Sequence, residues 1–260
     1  MLRFSANLGF LWPDLPLIAR IEAAARAGFK AVELHWPYDV PPEDVERSCA
    51  RHGLRLLGIN TPVGDVAKGD FGLAAVPGRE AEFQAAFDVA VAYARASGAS
   101  AIHAMAGVVP AGERETAGHV FRHNIARAAD KAARHGISVL LEAINPRDKP
   151  GYFYSTLGEV ADLMSQIARP NLRMMFDVYH VAVSEGDVLT KLERYLPIVG
   201  HVQVAAVPSR AEPDEGEIAY SAIFEALERL GYAGWVGCEY KPRGDTLEGL
   251  RWTRALGVTL

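Results

Sequence analysis

Short apolar runs recur along the chain, each preceded by an Ala/Arg-rich stretch of helical periodicity and a Gly or Pro stop. The pattern is legible at residues 25–34, 50–59, 94–103, 133–142, 168–177 and 228–239. A glycine just past a helix takes the left-handed conformation that ends it, and a cation in the last turn suits the helix dipole. The run that follows is apolar on both faces, as a buried parallel strand requires. This reading predicts eight strands, at about 3–7, 31–34, 55–59, 101–105, 138–142, 172–177, 199–204 and 235–239. Helices are predicted between them at about 15–27, 42–52, 79–97, 114–135, 156–168, 187–196 and 220–230, with a last one near 245–255. Eight units of about 32 residues each are the arithmetic of an α/β chain folded as a (β/α)8 TIM barrel. A doubly wound open sheet is the competing reading, but no Gly-x-Gly-x-x-Gly follows the first strand. Composition shows no break, so residues 1–260 are expected to form a single TIM-barrel domain.

Charge and cysteine usage narrow the function classes. Lys and Arg number 27 against 32 Asp and Glu, a net charge of −5. That balance opposes a partner made of nucleic acid or an anionic membrane surface. Two cysteines, Cys49 and Cys238, make no disulfide framework, and a cytoplasmic location is expected. The first residues read as a strand rather than a signal peptide, and no apolar stretch is long enough to suggest a membrane span.

A barrel keeps its chemistry at the C-terminal ends of its strands. Four consecutive predicted strands carry a polar residue there: Glu142, Asp177, Gln203 and Glu239. Charged groups are rarely buried unless paired or bound to a metal. A single acid at a strand end is usually a helix cap or a loop ion pair, and Asp177 could cap the helix that follows it. Four such residues on neighbouring strands instead predict an all-oxygen metal site of Glu142, Asp177, Gln203 and Glu239, suited to Mg²⁺ or Mn²⁺. His180, three residues past Asp177, is expected to face the same cavity and touch substrate. His201 shares a strand face with Gln203 and is placed deeper in the barrel, whereas Cys238 points into the core. Long loops at about 60–78 and 208–217 lie on the same end. Arg210 in the second loop is a candidate clamp for a substrate carboxylate, and Lys241 a weaker one of the same kind.

These residues resemble a known family. Arg3-Phe-Ser-Ala-Asn-Leu8, Pro77-Gly-Arg-Glu80, Glu142-Ala-Ile-Asn145, His201-Val-Gln203 and Gly237-Cys-Glu-Tyr-Lys-Pro242 are similar to the hydroxypyruvate isomerase family of xylose isomerase-like barrels. The resemblance runs nearly end to end. Ala104-Met-Ala-Gly-Val-Val-Pro-Ala-Gly-Glu113, Pro213-Asp-Glu-Gly-Glu217 and Lys241-Pro-Arg-Gly244 look closer to its 2-oxo-tetronate isomerase subgroup. Ala205-Ala-Val207 departs from the Ala-Asp-Asn of the hydroxypyruvate enzymes. The resemblance implies isomerisation of a short hydroxy-2-oxo acid through an enediolate, with Glu142 and Glu239 as the catalytic proton donor/acceptor pair. It also implies metal ligands at the four strand-end residues. The sequence is compatible with assembly into a homo-oligomer. A sugar 3-epimerase would carry His at the place of Gln203, an abasic-DNA endonuclease would show a basic face, and a non-catalytic sugar-acid-binding barrel has no use for two facing glutamates.

Overall fold

The computed structural model describes all 260 residues. Its strands are β1 Arg3–Asn7, β2 Ala31–Glu33, β3 Arg55–Leu56, β4 Gly58–Asn60, β5 Ala101–His103, β6 Ser138–Glu142, β7 Leu172–Asp177, β8 Val199–Val204 and β9 Trp235–Cys238. Every pairing between them is parallel, in the order β3-β2-β1-β9-β8-β7-β6-β5-β4. The two ends of that order are halves of one strand interrupted at Leu57. The Leu57 amide donates to Val32 O at 2.9 Å and the Leu34 amide to Gly58 O at 3.0 Å, so the ring closes through this broken strand. The eight-stranded parallel barrel expected from the repeat is therefore observed, with its third strand split.

The helices are α1 Leu17–Arg26, α2 Pro42–His52, α3 Glu80–Ser97, α4 Arg114–Ala133, α5 Leu157–Ile167, α6 Val178–Ser184, α7 Val188–Tyr195, α8 Tyr220–Arg229, α9 Thr246–Gly249 and α10 Arg251–Ala255. Gly53, at φ 65°, ends α2 in the left-handed region as the pattern predicts. Ala168 ends α5 in the same region, at φ 51°, although the Pro and Asn beyond it looked like the stop. The expected last helix is two short ones, α9 and α10, and α6 is an additional helix that the pattern did not show.

Strand alternation sorts the side chains. One face of each strand packs outward against helices, as Phe4 does on Phe224 and Trp252, with ring centroids 5.3 and 6.0 Å apart. The other face is unusually polar. Ser5, Asn7, Glu33, His103, Glu142, Asp177, His201, Gln203 and Glu239 are all buried. A cavity of about 740 Å³ runs within the barrel, lined by Asn7, Glu33, His103, Glu142, Gln203 and Glu239 among others. The interior is thus not the usual stack of branched aliphatic layers. No helix is long and apolar enough to cross a membrane.

Candidate active site and metal centre

Strand ends deliver the charged groups. Glu142 closes β6, Asp177 closes β7, Gln203 is the penultimate residue of β8, and Glu239 follows β9 by one position. Asp177 and Gln203 are register partners, and Gln203 is also paired with Gly237, two residues before Glu239. Three oxygens of this set are buried without a hydrogen-bond partner: Glu142 Oε1, Asp177 Oδ2 and Gln203 Oε1. Unpaired buried oxygens are costly, and a hard divalent cation is the partner that all-oxygen donors suit. Asp177 does cap a helix: its Oδ1 accepts the Tyr179 amide at 2.8 Å at the start of α6. Only Oδ2 is left for the site, so capping aims the carboxylate rather than consuming it.

Glu239 is engaged on both oxygens. Oε1 accepts from Asn7 Nδ2 at 3.0 Å and lies 2.9 Å from His35 Nε2, while Oε2 accepts from Arg210 Nη2 at 2.8 Å. Burial alone would push this carboxyl up, but the His35 hydrogen bond and the Arg210 charge win and hold it well below the usual range. Glu142 shows the opposite balance. Burial, then the charges of Glu239 and Asp177, push it well above the ordinary value. Burial followed by repulsion from Glu239 lifts Asp177 to about 8. Of these three carboxyls Glu239 lies nearest the Arg210 guanidinium, and it is the one held down.

Arg210 is drawn in by Glu239, by Asp148 at 3.1 Å and by Asp177 at 3.6 Å, and it stacks over Phe10 and Tyr179. Its backbone is left-handed at φ 56°, an uncommon conformation for a non-glycine residue, held by a 2.8 Å bond to Ala206 O. Lys241 donates its amide to Arg210 O at 2.7 Å, and its ammonium lies over Phe10 at the mouth. His180 is buried beside the carboxyls, with Nε2 3.6 Å from Asp177 Oδ2 and 3.8 Å from Glu142 Oε1. Burial and then the Arg210 charge push it down to about 3, so it is neutral at physiological pH. Glu142, Asp177 and His180 each offer an atom that could ligate a metal, all within 4.8 Å of one another.

Several site residues escaped the sequence reading. His103, left without a role, lies 3.5 Å from Glu142 Oε2. His35 and Asn7 hold Glu239. Glu33 accepts the Gln203 amide at 2.7 Å, lies 3.1 Å from His201 Nε2, and accepts Ser5 Oγ at 2.9 Å. That bond turns Gln203 so that Oε1, not Nε2, faces the site. Asn7 and Glu33 end β1 and β2; Asn7 stood at the predicted end of its strand without being taken as a site residue, and Glu33 would have stood there had the second strand been ended at 33 rather than 34.

A family model described as xylose isomerase-like TIM barrel matches residues 21–256. The 2-oxo-tetronate isomerase of Haemophilus influenzae is 42% identical over 97% of this chain and 98% of its own. The hydroxypyruvate isomerase of Escherichia coli K12 is 39% identical over 97% of this chain and 98% of its own. A crystal structure from Brucella melitensis, described as an AP endonuclease of family 2, superposes with a TM-score of 0.95. It is 42% identical and covers 98% of this chain and 99% of its own.

Proposed function

The chain belongs to the hydroxypyruvate isomerase and 2-oxo-tetronate isomerase family of xylose isomerase-like barrels, and on that footing we propose that it isomerises a short hydroxy-2-oxo acid through an enediolate. Candidate substrates are hydroxypyruvate, giving tartronate semialdehyde, and 2-oxo-tetronate, giving 3-oxo-tetronate. The observation that carries this reading is the set of orphaned oxygens on Glu142, Asp177 and Gln203, in a site whose two glutamates are pushed in opposite directions by their surroundings. Glu142, Asp177, Gln203 and Glu239 would hold Mg²⁺ or Mn²⁺. When bound, the ion supplies a Lewis acid that offsets charge on the substrate's adjacent oxygens, worth several kcal/mol.

The reaction moves one hydrogen between neighbouring carbons and one between their oxygens, so no redox partner is consumed. Carboxyls pushed to opposite ends of their range form an acid–base pair. One of the pair, Glu239 or Glu142, takes the carbon-bound proton, and the other returns one to the neighbouring carbon. His180 Nε2 is placed to donate a hydrogen bond to a substrate oxygen. The Arg210 guanidinium, beside Glu239 and Asp148, is placed to meet the substrate carboxylate as well.

An acid substrate also fits the mouth. Arg147, Lys149 and Lys241 stand over the rings of Tyr179, Phe71 and Phe10, and none of them pairs with a carboxylate. On a chain of net charge −5 this is a local positive collar. The same net charge opposes an endonuclease working along a DNA backbone. Proton NMR in D₂O with Mg²⁺-loaded protein tests the reading. Isomer formation and deuterium incorporation with either acid are expected. Absence of both with folded, loaded protein refutes it.

A further inference from the structure

His180 satisfies the geometry of a metal ligand, yet its surroundings dictate a different role. Its Nδ1 lies 2.7 Å from Asn145 Nδ2 and 3.3 Å from the Asn145 backbone amide. The orientation of the Asn145 side chain follows from its other end, because Oδ1 accepts the Asp148 amide at 2.8 Å. The group facing His180 is therefore the amide NH₂, and both contacts to Nδ1 come from donors. A neutral imidazole has one N–H and one lone pair. With the lone pair committed at Nδ1, the proton sits on Nε2. Asn145 has no exposed surface and His180 is 2% exposed, so water does not offer Nδ1 another partner.

We propose that Asn145 is a positioning residue that fixes the tautomer of His180, making Nε2–H a hydrogen-bond donor to a substrate oxygen and excluding this ring from the metal ligand set. The substrate half of this statement rests on the isomerase reading above. The distances support a donor in waiting. Nε2 is 3.6 and 3.8 Å from the nearest carboxyl oxygens, too far to spend its hydrogen there. The ring plane is set by an edge contact to Tyr179, centroids 5.2 Å apart. Second partners that fix a histidine's tautomer are a recurrent device wherever the other nitrogen has work to do.

The first test needs no variant. In ¹⁵N-labelled wild-type protein loaded with Mg²⁺, the two-bond imidazole correlations of His180 are expected to show a bare Nδ1 and a protonated Nε2. A protonated Nδ1 overturns the proposal. The second test is Asn145→Asp. Its Oδ1 still accepts the Asp148 amide, but the other oxygen can only accept, so a proton is expected to appear on Nδ1. Loss of one such oriented donor is expected to lower kcat about 100-fold, with KM changed far less. An Nδ1 that stays bare in folded Asn145→Asp protein overturns the proposal, as does an unchanged kcat in a variant whose Nε2 has lost its hydrogen. The His180 spectrum is read without turnover. If wild type converts neither acid, the isomerase reading fails, while the spectra still decide whether Asn145 sets the tautomer.

Discussion

Replacing Gly237 by alanine would test how tightly the support beneath the metal site is built. A Cβ at this position lies 2.1 Å from Glu33 Oε1, 2.9 Å from His201 Nε2 and 3.0 Å from Gln203 Cγ. The Glu33 carboxylate would have to retreat by about 1.3 Å to reach ordinary contact, which strains the 2.9 Å bond from Ser5 to the same oxygen and the 2.7 Å bond from Gln203 to its other oxygen. Inserting a methyl into a filled core costs typically about 1–3 kcal/mol. For a domain of this size that lowers Tm by roughly 2–12 °C. Freed from Glu33, the Gln203 amide no longer presents its oxygen, and loss of such a supporting bond weakens metal affinity about 10–100-fold. Gly244→Ala is the matched control, since nothing lies within 4 Å of its Cβ. Thermal unfolding of the metal-free protein and calorimetric Mg²⁺ titration read the two effects. Wild-type Tm and affinity in Gly237→Ala would refute the claim that Glu33 aims Gln203.

Glu142→Gln and Glu239→Gln are each expected to lower kcat by about 10²–10⁴-fold, the usual worth of a positioned acid or base, while circular dichroism shows a retained fold; near-normal turnover in either sinks the two-glutamate scheme. Metal affinity is expected to rise with pH. Asp177, lifted to about 8, and Glu142, also raised, must each lose a proton to ligate, so Mg²⁺ binding is expected to release protons, the Asp177 share fading above about pH 8. Calorimetry in two buffers of different ionisation enthalpy detects this release, and pH-independent affinity would contradict the protonation pattern. Lys149→Ala and Lys241→Ala are each expected to raise KM for the acid by about 5-fold at most, as exposed charges do, with kcat unchanged and the effect fading as salt is added. Equal KM values at low salt would remove the collar from the argument.

The sequence alone carried the barrel, because each strand–helix unit announces itself locally: a helical period, a stop, then a short apolar run. It also selected Glu142, Asp177, Gln203 and Glu239, since a charged or strongly polar residue ending an otherwise apolar strand is anomalous wherever it occurs. What surrounds those residues was invisible there. Asn7 and His35 hold Glu239 from sequence separations of 232 and 204 residues, and Glu33 reaches Gln203 across 170. Barrel closure creates these contacts, and no local pattern encodes them. The third strand's break at Leu57, the extra helix α6 and the left-handed backbone of Arg210 are likewise decided by tertiary packing. So is the opposite bias of the two glutamates. Glu142 and Glu239 are the same residue type at the same kind of position, and only the neighbours each one meets in the closed barrel, a pair of carboxyls for one and a guanidinium with a histidine for the other, set them apart.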